Sequence, residues 1–375
     1  MRIALVHSFY GSAIPSGENV VVEQQAAALT TRGHEVNVVS VRTDDLAQQR
    51  GYAARAAINV ATGRGWDPTP ALSDAAPDVV HVHNLFPNIA TTWLRDWPGP
   101  VVCTVHNFRP ACANGLLRRE GRPCTLCPDD GSWHAVQHAC YRGSAVATLP
   151  LAIRNRRGPA ADALLARADA IICPGEHVEQ VYAGWDVPAH KLHVIPHFTP
   201  APTAGASSAD RGEFVMASRL SPEKGVLDLL RVWPVEVPLA VYGGGPLQAE
   251  VEALCRGAIR FAGHVSPQEV SAAIAGAPAV VIPSTWLEIG PLTYGESLAQ
   301  GTPVIAVDGN AAALDVRRSG AGVAVPDFAG IPAAVAEILA HRERYAAAAR
   351  ARYRERYTVE AWLTRTEALY TAVTG

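Results

Sequence analysis

Two carboxylates with a helix start between them are the residues of this chain best placed to do chemistry. Glu288 and Glu296 have seven residues between them, Glu288 in the loop after the apolar run 279–282 and Glu296 inside the helical pattern that stops at Gly301. That order reads as buried strand, loop and helix. The first turn of such a helix leaves backbone N–H groups without intrahelical partners, here those of Leu292 and Thr293, and the dipole adds positive potential. A phosphate fits there. One carboxylate then precedes the anion site and the other lies one turn beyond it. This spacing suits a diphosphate with hydroxyl-bearing groups on both sides, which is the shape of a sugar nucleotide.

Cations stand earlier in the same half. Arg219 follows the apolar run 213–217, and Lys224 comes five residues later, ahead of a helical pattern starting near Val226. A guanidinium fork and an ammonium point charge can both hold a diphosphate. The plain alternative is a solvated surface pair. Gly243, Gly244 and Gly245 follow the run 239–242, either to let the backbone approach a base or phosphate or to make a tight turn. Val265 and the segment 282–284 are expected to line the nucleobase.

In order and spacing, Ser218-Arg219-Leu220-Ser221-Pro222-Glu223-Lys224-Gly225, Tyr242-Gly243-Gly244-Gly245-Pro246 and the Glu288/Glu296 stretch running on to Gly301-Thr302-Pro303 resemble the signatures of family 4 retaining glycosyltransferases, of the bacterial type with a four-cysteine insertion in the N-terminal domain. The resemblance implies the GT-B fold, α/β, with two facing doubly wound (Rossmann-like) domains and the active site in the cleft between them. It implies sugar transfer with retention from a nucleoside-diphosphate sugar, UDP- or GDP-linked, to a hydroxyl of a glycan, lipid-linked or natural-product acceptor, with no catalytic metal required. Glu288 would then bond the donor sugar, Glu296 the ribose, and Arg219 and Lys224 the diphosphate. One departure is visible. Many members carry Pro-Phe-Gly after the first glutamate, whereas this chain has Ile289-Gly290-Pro291. Pro291 has no N–H to offer, so the phosphate relies on Gly290, Leu292, Thr293 and side chains.

Two domains suit 375 residues of which 49% are hydrophobic. Apolar runs at 3–6, 35–41, 78–82, 101–105, 169–173 and 191–195, then at 213–217, 239–242, 259–261, 279–282, 304–307 and 322–325, alternate with helical or irregular stretches, the doubly wound pattern. The expected division is an N-terminal acceptor-side domain at 1–200, a linker at 199–208, a nucleotide-sugar domain at 211–357, and a last helix, 358–375, which the resemblance sends back to the first domain. A formal net charge of −3 excludes the strongly basic balance of a nucleic-acid binder. The longest apolar runs fall short of a membrane span, and the first residues read as a strand. A cytoplasmic protein is expected, with peripheral contact at the inner face of the membrane as one option.

Histidines mark two strand ends of the first half, at His81-Val82-His83-Asn84 and Val105-His106-Asn107. Residues just past the carboxyl ends of parallel strands line the ligand crevice, so His83, Asn84, His106 and Asn107 are acceptor-side candidates. The resemblance gives His106 a contact to the transferred sugar. It also places a glycine loop near the donor phosphate and acceptor, here Ser16-Gly17-Glu18 ahead of the helical pattern 20–32, whose bland reading is strand-to-helix punctuation.

From 107 to 144 the pattern breaks. Cys112, Cys124, Cys127 and Cys140 fall here, with a Cys-x2-Cys pair at the centre. Four thiolates in this spacing suit one structural zinc, closed to substrate, with His134 or His138 able to replace one ligand. Free thiols or a labile disulfide are the alternatives. Arg118, Arg119, Arg122 and Arg142 lie in the same insertion, and a further cluster follows it at Arg154, Arg156 and Arg157, for an anionic acceptor, a membrane surface or simple solvation. Competing functions are a sugar-nucleotide epimerase, which needs an acid/base pair not evident here, a phosphorylase-like enzyme, which needs a lysine for pyridoxal phosphate, and a non-enzymatic zinc-containing binding protein.

Overall fold

A computed structural model describes residues 1–12, 16–202 and 212–375. Most of the linker expected at 199–208 lies outside the described residues. Two compact units result. The first comprises Met1–Arg119, Cys124–Ile195 and Leu363–Gly375, and the second comprises Pro196–Trp362 with Glu120–Pro123 grouped to it.

Each unit is built on a six-stranded parallel sheet. Its strands are short Val/Ile-rich runs apolar on both faces, as strands covered by helices on both sides must be; Ile3, Ala4, Leu5 and Val6 are fully buried. In the first sheet the spatial order is Glu35–Arg42, Arg2–Phe9, Val79–Asn84, Val101–Thr104, Ala170–Cys173 and Leu192–Val194. In the second it is Ile259–Gly263, Leu239–Tyr242, Phe214–Ala217, Val280–Ile282, Val304–Val307 and Gly322–Val325. Both orders reverse direction once. The reversal lies between Arg2–Phe9 and Val79–Asn84 in the first sheet, and between Phe214–Ala217 and Val280–Ile282 in the second. At such a switch point the connections leave to opposite faces and open a crevice at the carboxyl ends of the strands.

The first helix differs from its sequence reading. It runs Gly17–Thr31, three residues earlier than the apolar spacing alone indicates, because Val20 N–H already closes on the Ser16 carbonyl at 3.3 Å. Gly17 is therefore the first helical residue. The last helix, Val359–Thr374, contributes its later part to the first unit. There the Tyr370 hydroxyl meets His81 Nδ1 at 2.6 Å, and Glu367 accepts from Arg32 at 3.1 Å and pairs with His34 at 2.9 Å. Among the described residues no helix is long and apolar enough to cross a membrane.

In the second unit, Asn310 is wholly buried and caps the helix Ala311–Ser319. Its Oδ1 accepts from Ala313 N–H at 3.0 Å, while Nδ2 donates to the carbonyls of Val307 at 2.8 Å, Ser284 at 3.0 Å and Ile282 at 3.2 Å. One side chain thus ties a helix start to the end of the neighbouring strand, where the loop toward Glu288 begins. Asn310→Ala loses a cap and leaves buried carbonyls unpaired, and is expected to cost roughly 2–4 kcal/mol. Urea unfolding should show the midpoint falling with an unchanged slope, and a variant with the parent midpoint would refute this anchoring.

Candidate active site

The loops leaving the two switch-point strands of the second unit are fastened together. Thr285 N–H donates to the Glu223 carbonyl at 2.9 Å. Gly225 has φ +68° and lies so close to the opposite loop that an added Cβ would sit 2.1 Å from the Pro283 carbonyl oxygen, so only glycine fits. This approach brings Lys224 to Glu288. Lys224 Nζ donates to Glu288 Oε1 at 2.6 Å, the Ser284 hydroxyl donates to the same oxygen, and the Trp286 ring lies 5.6 Å below the ammonium. The Glu288 side chain is 5% exposed and that of Lys224 21%. A carboxylate this buried is tolerated because a cation and a hydroxyl both serve it.

Arg219 lies on the outer side of the same loop. Its side chain is 53% exposed, and Nη2 donates to Glu223 Oε1 at 2.8 Å. Burial alone would raise the Glu223 pKa, but hydrogen bonds from Ser221, the backbone and Arg219 outweigh it and hold the carboxyl below its usual range. Glu223 and Ser284 stand in segments that the sequence singles out, but nothing in their spacing marks them as supports for Arg219 and Glu288.

The glycine turn divides by role. Gly243 has φ +128°, and an added Cβ would sit 1.9 Å from the Ser218 carbonyl oxygen, so this glycine serves backbone packing beside the Arg219 strand end. An added Cβ at Gly244 would meet nothing closer than the His264 Cβ at 3.8 Å, and its carbonyl accepts from Leu220 N–H at 2.9 Å, so this glycine leaves room beside the turn while its backbone helps to hold the Arg219 loop.

The helix Leu292–Gln300 begins at Pro291 with no side-chain cap. Among the described residues neither the Leu292 nor the Thr293 amide is taken by a backbone acceptor outside the helix, so both remain available to an anion. Gly290 lies in the irregular segment before it. Glu296 makes no hydrogen bond or ion pair among the described residues, and burial raises its pKa. A partly desolvated carboxylate without a protein partner is suited to ligand hydroxyls.

In the first unit the histidines form a stack at the switch point. His81 is fully buried and bonded on both ring nitrogens, to Tyr370 at 2.6 Å and to Thr104 Oγ1 at 2.7 Å, which makes it structural. Its ring stacks on His83 at 4.3 Å, and His83 Nδ1 lies 3.0 Å from His106 Nε2. His7, which the sequence reading left as plain strand, meets His83 edge-on at 6.3 Å. Burial, aided by Arg42 and opposed by the Asn19 bond, lowers the His7 pKa to about 4, so its ring is neutral at physiological pH.

The other acceptor-side candidates separate. Asn84 is committed to a turn, its Oδ1 accepting from Phe86 N–H at 2.9 Å. Asn107 donates to Glu18 Oε1 at 3.0 Å, joining the helix start after Gly17 to the segment after His106. Burial raises the Glu18 pKa, partly offset by Asn107, Arg109 and Tyr10.

In the insertion, Cys112, Cys124, Cys127 and Cys140 are free thiols. Cys127 and Cys140 pack on a small core of Ala113, Ala135 and Leu151. Burial first, and then the neighbouring Cys112, Cys140 and Cys124, push the Cys127 thiol up to about 11. Among the described residues no three histidine, cysteine, aspartate or glutamate side chains are arranged to hold a metal ion as they stand. His134 instead pairs with Asp130 at 2.7 Å, and His138 lies 3.3 Å from Arg119.

Comparison with known proteins bears on the family and the fold. Residues 15–200 match Glycosyltransferase Family 4, and residues 202–355 match Glycosyl transferases group 1. Glycogen synthase of Mycobacterium tuberculosis strain H37Rv is 32% identical over 177 residues, which are 43% of this chain and 42% of that protein. The alignment thus spans less than half of this relative. Among solved structures, sucrose-phosphate synthase from Thermosynechococcus elongatus superposes with a TM-score of 0.70 at 18% identity, covering 99% of this chain and 98% of that one. Anabaena HepE, solved with UDP, gives a TM-score of 0.60 at 15% identity, covering 99% and 100%. At these identities the structures speak for the fold alone. The two family matches, laid end to end over nearly the whole chain and over two parallel-sheet α/β domains of GT-B type, make this protein a member of the family 4 glycosyltransferases.

Proposed function

We propose that the protein transfers a sugar, with retention at the anomeric carbon, from a UDP- or GDP-sugar to a hydroxyl of a glycan, lipid-linked or natural-product acceptor. The observation that carries this reading is the second unit's switch point, where Lys224 and Glu288 pair beside the uncapped amides of Leu292 and Thr293. A neighbour of the same fold is solved with UDP, which supports the same class of donor here.

The chemistry is mainly charge handling. As the glycosidic bond lengthens, negative charge collects on the leaving diphosphate, where Lys224, Arg219 and the helix amides stabilise it. Glu288 holds Lys224 and bonds the donor sugar, Glu296 bonds the ribose hydroxyls, and His106, steadied by His83, contacts the transferred sugar. The acceptor hydroxyl attacks from the leaving group's side and passes its proton to a diphosphate oxygen. Glu288 Oε1 already accepts from a cation and a hydroxyl. That lowers its nucleophilicity and favours this course over a glycosyl-enzyme intermediate.

A screen of UDP-, GDP-, ADP- and dTDP-sugars by thermal shift and donor hydrolysis should single out UDP- or GDP-sugars. With the donor identified, Glu296→Gln should raise KM about tenfold with little change in kcat, since ribose is gripped equally in ground and transition states. Glu288→Gln should lower kcat by roughly two decades. No response to any nucleotide sugar, or wild-type kcat in Glu288→Gln, would refute the reading.

We further infer that Cys112, Cys124, Cys127 and Cys140 close on one structural zinc after rotation of their side chains. The Cys-x2-Cys spacing and the packing of Cys127 and Cys140 on one small core support this. Protein purified without chelators should hold close to one zinc per chain, and Cys124→Ser with Cys127→Ser should lose both the metal and thermal stability. Metal-free protein with four titratable thiols would contradict it.

A further inference from the structure

A cavity of about 330 Å³ lies wholly within the first unit, beyond the carboxyl ends of the strands Val79–Asn84 and Val101–Thr104. This is the size range of small-molecule sites, ~300–1,000 Å³. His83 and His106 line it together with Arg109, Arg154, Arg156 and Arg157.

The charge of this lining is one-sided. Its one acidic side chain, Asp162, is engaged by Arg154 at 2.5 Å. The other three guanidinium groups form no ion pair among the described residues. Arg156 spends one N–H on the Ile153 carbonyl at 2.9 Å. Arg109 donates to the Ala113 carbonyl at 3.0 Å and lies 4.2 Å over the Phe86 ring, and its Nε is buried with no hydrogen-bond partner. Glu18 interacts with Arg109 through space and already accepts from Asn107. Stacking on an aromatic face fixes the guanidinium plane and leaves its edge for a planar or tetrahedral oxyanion. Helix-dipole compensation explains a cation at the end of the helix Ala145–Asn155. It does not explain Arg109, which comes from a different segment and meets the same cavity.

We propose that this cavity holds a phosphate group of the acceptor, with Arg109, Arg156 and Arg157 on the phosphate and the acceptor's hydroxyl-bearing part toward His83 and His106. The proposal rests on the glycosyl-transfer reading and narrows its acceptor to phosphate esters. A soluble sugar phosphate and a lipid-linked phosphate present the same chemistry to these arginines.

The test is direct binding to the full chain by calorimetry. The probes are glucose 6-phosphate, glucose, and a short-chain polyprenyl phosphate in detergent micelles, with empty micelles as control. At least one phosphate probe should bind ten-fold or more tightly than its phosphate-free counterpart. Binding of the polyprenyl phosphate alone assigns a lipid-borne acceptor, and binding of glucose 6-phosphate assigns a soluble one. Arg156→Ala with Arg157→Ala should weaken the phosphate probe at least ten-fold, and the double lysine variant should recover part of that loss. Both arginines are exposed, so neither change disturbs the core. Equal binding with and without phosphate, or full phosphate affinity in the alanine variant, would overturn the proposal. UDP and GDP are titrated in parallel. A thermal shift with nucleotide but no phosphate preference defeats this proposal alone, whereas loss of both responses defeats the donor reading as well.

Discussion

A carboxylate that is 5% exposed must have a cation, and that requirement organises the second unit. Lys224 reaches Glu288 only because the two switch-point loops approach within backbone contact. That approach depends on Gly225 having no Cβ, on the Thr285 to Glu223 hydrogen bond, and on Asn310 holding the carbonyls at the start of the Glu288 loop. Desolvation would make either charge costly alone, so the pair holds the loops as firmly as the loops hold the pair. The loop that carries Glu288 runs directly into the helix Leu292–Gln300, whose start has no side-chain cap, so the ion pair and the helix amides belong to one strand-to-helix connection.

The first unit solves a different problem, the crowding of imidazole rings. His7, His81, His83 and His106 crowd one switch point, and four charged imidazoles there would repel one another strongly. Burial keeps His7 neutral, and Tyr370 and Thr104 saturate His81. Because Tyr370 comes from the last helix, the end of the chain helps to fix the ring on which His83 stacks. His106 thus meets, through His83, rings fixed by the last helix.

The central strands were legible in the sequence because each is a short apolar run buried on both faces, and the edge strands Glu35–Arg42 and Gly322–Val325, though far less buried, keep enough valine to read as strands. The terminal helix was legible from its apolar spacing. The residues of the candidate site were legible through strand ends, since Arg219, Lys224, His83 and His106 all follow or close an apolar run. Their partners were not. Nothing in one dimension shows that Lys224 and Glu288 share a proton-donor contact, that Glu223 supports Arg219, or that Gly243 packs on Ser218 instead of a ligand. Asn310 carries four hydrogen bonds, yet in the sequence it reads as an ordinary turn residue. Lys224 reaches a residue 64 positions away and Asn310 reaches 28 and 26 positions back, contacts that depend on the strand order, which local pattern does not contain; the Arg219–Glu223 pair is local but carries no periodic signal. The start of the first helix was misplaced for a simpler reason. Gly17 and Glu18 lack the apolar signal, although the backbone is already helical there.

The most direct measurement of the central claim is a double-mutant cycle on kcat/KM with Lys224→Met, Glu288→Gln and the combined variant, once the donor is in hand. If the ion pair acts as one unit, each single change should remove most of the activity that the double change removes, with a coupling energy of about 1–3 kcal/mol. Effects that add to within about 0.5 kcal/mol would mean that Lys224 and Glu288 act independently, and the account of this site as a charge pair built for a leaving diphosphate would be wrong.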